Sequence, residues 1–126
     1  MSENKVLLER GLKKLNEIGG KATDEVITAL NDVAPDLVTY IGLAFDEIYS
    51  RPHLNARQRE LITLTALTAQ GGCENQLKLH IQAALNVGLS REEIIETFIQ
   101  CIPYLGFPKG LNAIFVAKEI FSEMTE

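Results

Sequence analysis

The chain has 126 residues, of which 46% are hydrophobic and 23% are charged. This composition is typical of a soluble globular protein and excludes an intrinsically disordered one. Twelve basic and 17 acidic residues give a formal net charge of −5, so there is no basic surplus to neutralise a nucleic-acid backbone. We therefore expect a single domain over residues 1–126 that has no nucleic-acid partner.

The cysteine content and the N-terminal segment indicate the compartment. Cys73 and Cys101 are too few for a disulfide framework and are typical of free thiols in a reducing environment. The segment MSENKVLLERGLKK contains no apolar signal core, and no stretch approaches the ~20 apolar residues that span a bilayer. We therefore predict a cytoplasmic protein without a membrane partner.

Hydrophobic periodicity predicts three helices in the first part of the chain. Residues 3–18 form one amphipathic helix that Gly19-Gly20 ends. A short helix begins at Asp24, and a third begins at Pro35 and ends before Pro52. The side chains expected to face inward are Leu8, Leu12, Leu15, Ile18, Val26, Ile27, Leu30, Val33, Leu37, Ile41, Ala44 or Phe45, and Ile48.

A helical hairpin follows. Asn55 and Gln58 form a capping-box pattern at the start of a helix over 55–70. This helix is apolar on nearly all sides, so we expect burial on most of its faces. A glycine pair at 71–72 then leads into a helix over 73–88.

Two further helices complete the chain. Ser90 and Glu93 form a second capping box, and the helix that they begin is broken by Pro103 and the 106–108 cluster. Pro108 opens the last helix. The inward side chains expected here are Ile94, Ile95, Phe98, Ile99, Cys101, Ile102, Leu111, Ile114, Phe115 and Phe121.

No segment alternates in the manner of a strand, so the predicted fold is all-α, a single domain of six or seven helices. The 55–70 helix is hard to cover within one subunit. We therefore expect a homo-oligomer, the alternative being a monomer with an ordinary central helix.

The hairpin places polar side chains together. Glu60 lies about 11 residues before the centre of the glycine turn and His80 about 8 after it, an offset of about one helical turn at ~1.5 Å per residue. Their side chains can meet at the seam. Cys73, Gln76 and His80 share one face of their helix because they are spaced three and four apart.

The functional interpretation of this cluster is acid–base chemistry. His80 is a candidate general acid or base, oriented by Glu60. The structural alternatives are a surface or hydrogen-bonded core histidine, and a glutamate that pairs with Arg57. Cys73 at a helix start is either a reactive thiolate or a small apolar filler, whereas Cys101 is interpreted as core.

Basic side chains cluster near the start of the 55–70 helix. They are Arg51, His53, Arg57 and Arg59. Positive charge there opposes the helix dipole, so either Asp46 or Glu47, or a substrate carboxylate, is expected to compensate it. The tract PYLGFP carries Tyr104 and Phe107, which either line a pocket or form a rigid corner. No spacing indicates a metal site.

Three tracts in this order resemble the carboxymuconolactone decarboxylase family, part of the superfamily that holds the alkylhydroperoxidase D proteins. They are IYSRPHLNARQRELITLTAL, QLKLHIQAALNVGLSREEIIETFIQ and PYLGFPKGLNAIFVAKEIF. The resemblance covers most of residues 7–121. It implies an all-helical fold, homo-oligomers that are often hexameric, and decarboxylation of 4-carboxymuconolactone without a metal or organic cofactor.

The resemblance also assigns residues. The peroxidase branch uses a Cys-x-x-Cys pair, a histidine and an upstream glutamate, and these positions fall on Cys73, Gln76, His80 and Glu60. Gln76 replaces the second cysteine, which favours the decarboxylase branch. On that interpretation we expect His80 to be the acid, oriented by Glu60. Arg57 or Arg59 is then expected to hold a substrate carboxylate in a pocket walled by Tyr104 and Phe107.

Two other functions stay open from the sequence. One is a single-cysteine thiol peroxidase or reductase built on Cys73 and His80, which needs an external reductant. The other is a non-catalytic oligomer that binds a small ligand.

Overall fold

A computed structural model describes residues 3–124 of the chain, and its regular structure there is entirely helical, as predicted. Six helices are present in this part of the chain: α1 (Glu3–Val33), α2 (Pro35–Tyr49), α3 (Ala56–Gln70), α4 (Glu74–Asn86), α5 (Arg91–Leu105) and α6 (Phe107–Met124). None of the helices over 3–124 is both long enough and apolar enough to cross a bilayer. The chain forms two compact units that divide between residues 56 and 57.

In the first unit, α1 packs along α2. The predicted interruption of α1 lies at Gly20, whose φ of 62° departs from helical geometry. The helix backbones approach most closely at Gly11, where an added Cβ would lie 1.6 Å from the carbonyl oxygen of Gly42. Only glycine permits this crossing, because any side chain would collide with the backbone.

A partly buried ion pair joins the same two helices. Arg10 donates from Nε and Nη2 to the two carboxylate oxygens of Asp46, at 2.9 and 2.8 Å. Asp46 is almost fully buried, and the hydrogen bonds and charge of Arg10 lower the pKa of its carboxyl group. This bidentate geometry fixes the register of α1 on α2.

We predict that Asp46→Asn lowers the urea midpoint of unfolding at pH 7. The folded-state pKa of Asp46 is depressed, so its stabilising effect is complete above the unfolded value of about 4 and is lost as the pH falls through the folded-state value. The difference between wild type and variant should therefore shrink below about pH 4. Glu25→Gln, at an exposed position, is the control. A difference that stays constant down to pH 2 would contradict the assignment.

Several inward assignments in the first unit are wrong. Val26, Val33, Leu37 and Ile48 are exposed, whereas Phe45, one of the two alternatives at 44–45, is partly buried as expected. The buried face of α2 consists instead of Val38, Gly42 and Asp46. Hydrophobic periodicity predicts the wrong buried face of α2 because two of these three residues are not hydrophobic. The α1 stripe of Leu8, Leu12, Leu15 and Ile18 is at least partly buried, as predicted.

The second unit is built on a hydrophobic core shared by α3, α4, α5 and α6. Its fully buried centre includes Leu64, Ile81, Ile94, Phe98 and Ala117. The predicted capping box is present, with the Ser90 hydroxyl accepting from the Glu93 N–H and the Glu93 carboxylate accepting from the Ser90 N–H. Cys101 is buried, as predicted.

Three expectations for this unit are corrected. Helix α3 buries only one face, Glu60, Leu64 and Thr68, rather than most of its faces. Pro103 does not break α5, because it is exposed in the last turn and costs only one backbone hydrogen bond. The helix ends at Gly106, whose φ is 91°, within the predicted 106–108 cluster. The exposed side chains that were expected inside are Ile99, Leu111 and Phe115.

Candidate functional site

The predicted partners at the hairpin seam are in contact. Glu60 on α3 and His80 on α4 meet through Oε2 and Nδ1 at 3.1 Å. The Glu60 side chain is 0% exposed and that of His80 is 17% exposed. A fully buried carboxylate therefore contacts an imidazole that remains slightly accessible to solvent.

The glycine turn creates this seam. Gly71 and Gly72 adopt φ values of 74° and 70°, which L side chains rarely tolerate, and so the chain reverses over very few residues. Lys109 donates from Nζ to the carbonyl oxygen of Ala69 at 2.9 Å. This contact ties the first turn of α6 to the carboxyl end of α3 and adds a positive charge where the helix dipole favours one.

The hydrogen-bond arrangement assigns distinct roles to the two imidazole nitrogens. An ionised Glu60 only accepts hydrogen bonds, so Nδ1 of His80 must donate to it. This leaves Nε2 as the ring nitrogen that the contact with Glu60 does not use. The Glu60 carboxylate thus selects the tautomer and the ring orientation.

The second oxygen of Glu60 makes this pair unusual. Oε1 is buried and has no hydrogen-bond partner among the described residues. A buried acceptor without a donor costs folding free energy. Such a cost is typical of groups retained for function rather than for stability.

Cys73 and Gln76 flank the pair on α4. Cys73 occupies the N-cap position, is partly exposed, and its Sγ donates to the carbonyl oxygen of Gly71 at 3.4 Å. Gln76 is exposed one turn before His80. Cys73 thus immediately precedes α4, and Gln76 lies in the first turn of that helix.

At the start of α3, the positive charge of Arg57 is not compensated by Asp46 or Glu47, the expected carboxylates. Arg57 pairs with Glu93, its Nη2 lying 3.2 Å from Oε2, and both side chains are about half exposed. Asp46 pairs with Arg10 instead. Arg59 is partly buried, and its assignment to a substrate carboxylate stays a prediction. Arg51 and His53 are exposed.

Tyr104 and Phe107 lie on the surface of this chain, with 82% and 68% of their area exposed. Tyr104 lines an open groove of about 720 Å³ between α3 and α5 whose lining includes neither Glu60 nor His80. Glu93 and Glu96 give this groove an acidic rim, which disfavours an anionic substrate. The role of the two rings as pocket walls stays a prediction.

Two contacts of the site region were missed at the sequence level. Glu93 pairs with Arg57, but its presence in the sequence was already explained by its role in the capping box. Lys109 anchors the hairpin, yet it lies 40 residues from Ala69. No local pattern indicates either contact. Among residues 3–124, no cluster of His, Cys, Asp and Glu side chains could hold a metal ion.

The fold and site define a small all-helical protein organised around one carboxylate–imidazole pair. Comparison with known families identifies it further: the model of the carboxymuconolactone decarboxylase family matches residues 37–119, and the chain belongs to that family. The match includes α3, α4 and α5 in full, and therefore both members of the pair.

Individual relatives agree with this placement. A 4-carboxymuconolactone decarboxylase from Acinetobacter baylyi is 32% identical over 92% of this chain and 87% of its own length. A nitrosuccinic acid decarboxylase from Metarhizium robertsii is 28% identical over 95% of this chain and 85% of its own. An uncharacterized 15.0 kDa protein of Paracoccus denitrificans is 34% identical over 65% and 62%, respectively.

Proposed function

We propose that this protein is a cofactor-free decarboxylase of a small carboxylated lactone, with His80 as its general acid. The observation that carries the proposal is the 3.1 Å contact between His80 Nδ1 and the fully buried Glu60. It fixes the ring and directs Nε2 away from the carboxylate. The decarboxylase relatives support the reaction type.

The chemistry follows from the substrate. In 4-carboxymuconolactone, the departing carboxylate is attached γ to an unsaturated lactone carbonyl. When that C–C bond breaks, CO₂ leaves and the electron pair moves through the double bond onto the carbonyl oxygen, forming a dienolate. The Nε2–H of a protonated His80 then delivers its proton to carbon, and solvent restores the proton to the ring.

The neighbouring side chains have roles in this scheme. Gln76 lies one turn before His80 on the same face of α4, and in this scheme its amide donates to the lactone oxygen as charge develops there. An apolar surrounding disfavours the departing carboxylate and so promotes its loss as neutral CO₂. The exposed rings of Tyr104 and Phe107 would supply such an apolar surrounding if they were covered and so shielded from solvent.

The substrate class is wider than one lactone. Nitrosuccinic acid also carries a carboxylate whose loss leaves an electron pair next to an electron-accepting group, in that case a nitro group. Both acids retain a second carboxylate after the reaction. We therefore infer a substrate with one activated carboxylate and one that serves as a binding handle.

Arg57 is the proposed partner of that second carboxylate. It lies three residues before Glu60 and so shares its face of α3. Its pair with Glu93 is half exposed and screened by solvent, so it stabilises the fold little and opens easily. An incoming carboxylate can exchange for Glu93 at small cost.

We predict that Arg57→Met raises KM about 10-fold or more with a smaller change in kcat, because a hydrogen bond to a charged group contributes ~1.5–3 kcal/mol. Steady-state kinetics on 4-carboxymuconolactone measure this. Glu93→Gln is the matched control, since it releases Arg57 while keeping a capping-box residue, and it should leave KM unchanged or lower it. If Arg59→Met has the large effect instead, the handle is Arg59.

The proposal is tested by following loss of the lactone absorbance and release of CO₂ with purified protein. Turnover that Cys73→Ser leaves intact is the expected result. Nitrosuccinic acid serves as a second substrate. A protein that is silent toward both acids and consumes hydroperoxide with dithiothreitol through Cys73 would overturn the proposal. Binding of either acid without turnover would also overturn it.

We also propose that the protein acts in the cytoplasm as a homo-oligomer, with a hexamer as the expected form. The support is the exposed face of α3, which presents Ile62, Ala66 and Ala69 to the outside of the chain. Size-exclusion chromatography with light scattering tests the assembly, and a stable 14.0 kDa species would contradict it.

A further inference from the structure

The groove between α3 and α5 is separate from the carboxylate–imidazole pair. Its volume of about 720 Å³ falls within the range of roughly 300–1,000 Å³ that is typical of small-molecule sites. Leu61, Thr65 and Ala69 follow one another at intervals of four residues and form its α3 side. Neither Glu60 nor His80 is part of the lining, so an occupant of the groove is independent of the proton transfer proposed at His80.

The α5 side of the groove changes character along its length. Glu93 and Glu96 lie near the start of the helix, and Tyr104 and Leu105 lie at its carboxyl end. From Glu96 to Tyr104 the helix advances by about 12 Å, at ~1.5 Å per residue. The groove therefore has an acidic end and, about 12 Å away, an aromatic and apolar end.

Glu96 supplies the charge that is available to a ligand. Glu93 already pairs with Arg57 and accepts a hydrogen bond from the backbone N–H of Ser90. Glu96 has no ion-pair partner among residues 3–124, and no basic side chain in that range lines the groove. An unpaired carboxylate beside mostly apolar walls favours a ligand with one positive charge and an apolar body.

From this charge pattern we propose that the groove binds a small organic cation. Its ammonium group lies beside Glu96, and its apolar chain extends along the groove toward Tyr104. The side chain of Tyr104 is 82% exposed, so an apolar chain that packs on its ring removes apolar surface from water. A linear alkylammonium of about 12 Å spans the two ends, whereas an anion of the same length would place its charge against Glu96.

Three probes of equal chain length separate the effect of charge from that of apolar burial. They are octylammonium, octanol and octanoate, and their affinities are measured from amide shifts in ¹H–¹⁵N spectra. We expect octylammonium to bind most tightly and octanoate least. Glu96→Gln should weaken octylammonium binding about 3-fold, as is typical for a solvent-exposed ion pair, and leave octanol binding unchanged. Glu92→Gln removes the same charge from an exposed position of α5 outside the lining, and this matched control should change neither affinity.

Filling the groove tests the location of the site. Thr65→Trp places a large ring in the middle of the α3 side and should abolish octylammonium binding. Ile62→Trp adds the same ring at an exposed position of α3 outside the lining and should retain binding. Equal affinity for the three probes, or octylammonium binding that survives Thr65→Trp, would overturn the proposal. Exclusion of all three probes together with groove amide shifts that depend on protein concentration would also overturn it, because a second copy of the chain would then occupy the groove.

Discussion

Replacing His80 with asparagine is expected to lower kcat for decarboxylation by at least ~10²-fold, the loss typical when a positioned general acid is removed. The asparagine amide can still donate to Glu60 from near the position of Nδ1, but it offers nothing at the position of Nε2. The variant therefore separates the proton donor from the structural hydrogen bond. The measurement is kcat on 4-carboxymuconolactone, with far-ultraviolet circular dichroism to establish that the helices are intact.

The contrast with alanine and with the second histidine sharpens this result. His80→Ala removes both nitrogens and leaves Glu60 buried without its partner, so it should be equally inactive and also less stable. His53→Ala, at an exposed position in the loop before α3, should keep full activity. If His80→Asn retains more than a tenth of wild-type turnover, another group delivers the proton.

The helical class and most helix boundaries could be predicted because their signals are local. The Ser90 capping box, the glycine turn at 71–72 and the glycine before Phe107 each act within a few residues. Pro103 was misjudged as a breaker, since a proline in the last turn of a helix removes only one hydrogen bond.

The orientation of helix faces was harder to predict because it depends on contacts between helices. In α2, the apolar stripe of Leu37 and Ile48 is exposed, while Gly42 and Asp46 face α1. A glycine at a close crossing and an aspartate paired with Arg10 both look like solvent-facing residues in a hydrophobic pattern. Hydrophobic periodicity therefore selected the wrong face.

The contact between Glu60 and His80 was predictable because a tight turn fixes the register of the two helices that carry these residues. Counting from the glycines placed Glu60 beside His80, and their side chains meet at 3.1 Å. The pairing of Arg57 with Glu93 was not predictable in this way. It joins residues 36 apart on different helices, and no turn relates their registers.

Replacing Glu60 with glutamine is expected to lower kcat about 100-fold with little change in KM, because Glu60 acts through His80 rather than on the substrate. The amide keeps the size of the side chain but removes the charge that stabilises the imidazolium form. It can also donate to Nδ1, which would reverse the tautomer of the ring. In the proposed mechanism Glu60 is a positioning residue, so its loss should alter the electronic state of the ring rather than its location.

Long-range ¹H–¹⁵N correlation spectra provide a readout that a purely structural role would not change. The wild-type His80 signals should show a proton on Nδ1, whereas Glu60→Gln should show the neutral ring with its proton on Nε2. His53, the second of the two histidines in the chain, serves as the internal reference. An unchanged His80 pattern in a variant that has lost activity would remove the positioning role.

Apolar replacement at the Glu60–His80 pair should affect the stability of the fold and the activity in different ways. Glu60 is fully buried, its Oε1 has no partner among the described residues, and its neighbours on α3 face the core. Replacing both members of a buried polar pair with apolar residues of similar volume often leaves stability unchanged or raises it, whereas removing one member destabilises. The double variant Glu60→Leu/His80→Leu should therefore unfold at the same urea concentration as wild type or a higher one, while its turnover is abolished. A large fall in its midpoint would mean that the carboxylate serves the fold, and the cost of burying it would then have a structural rather than a catalytic reason.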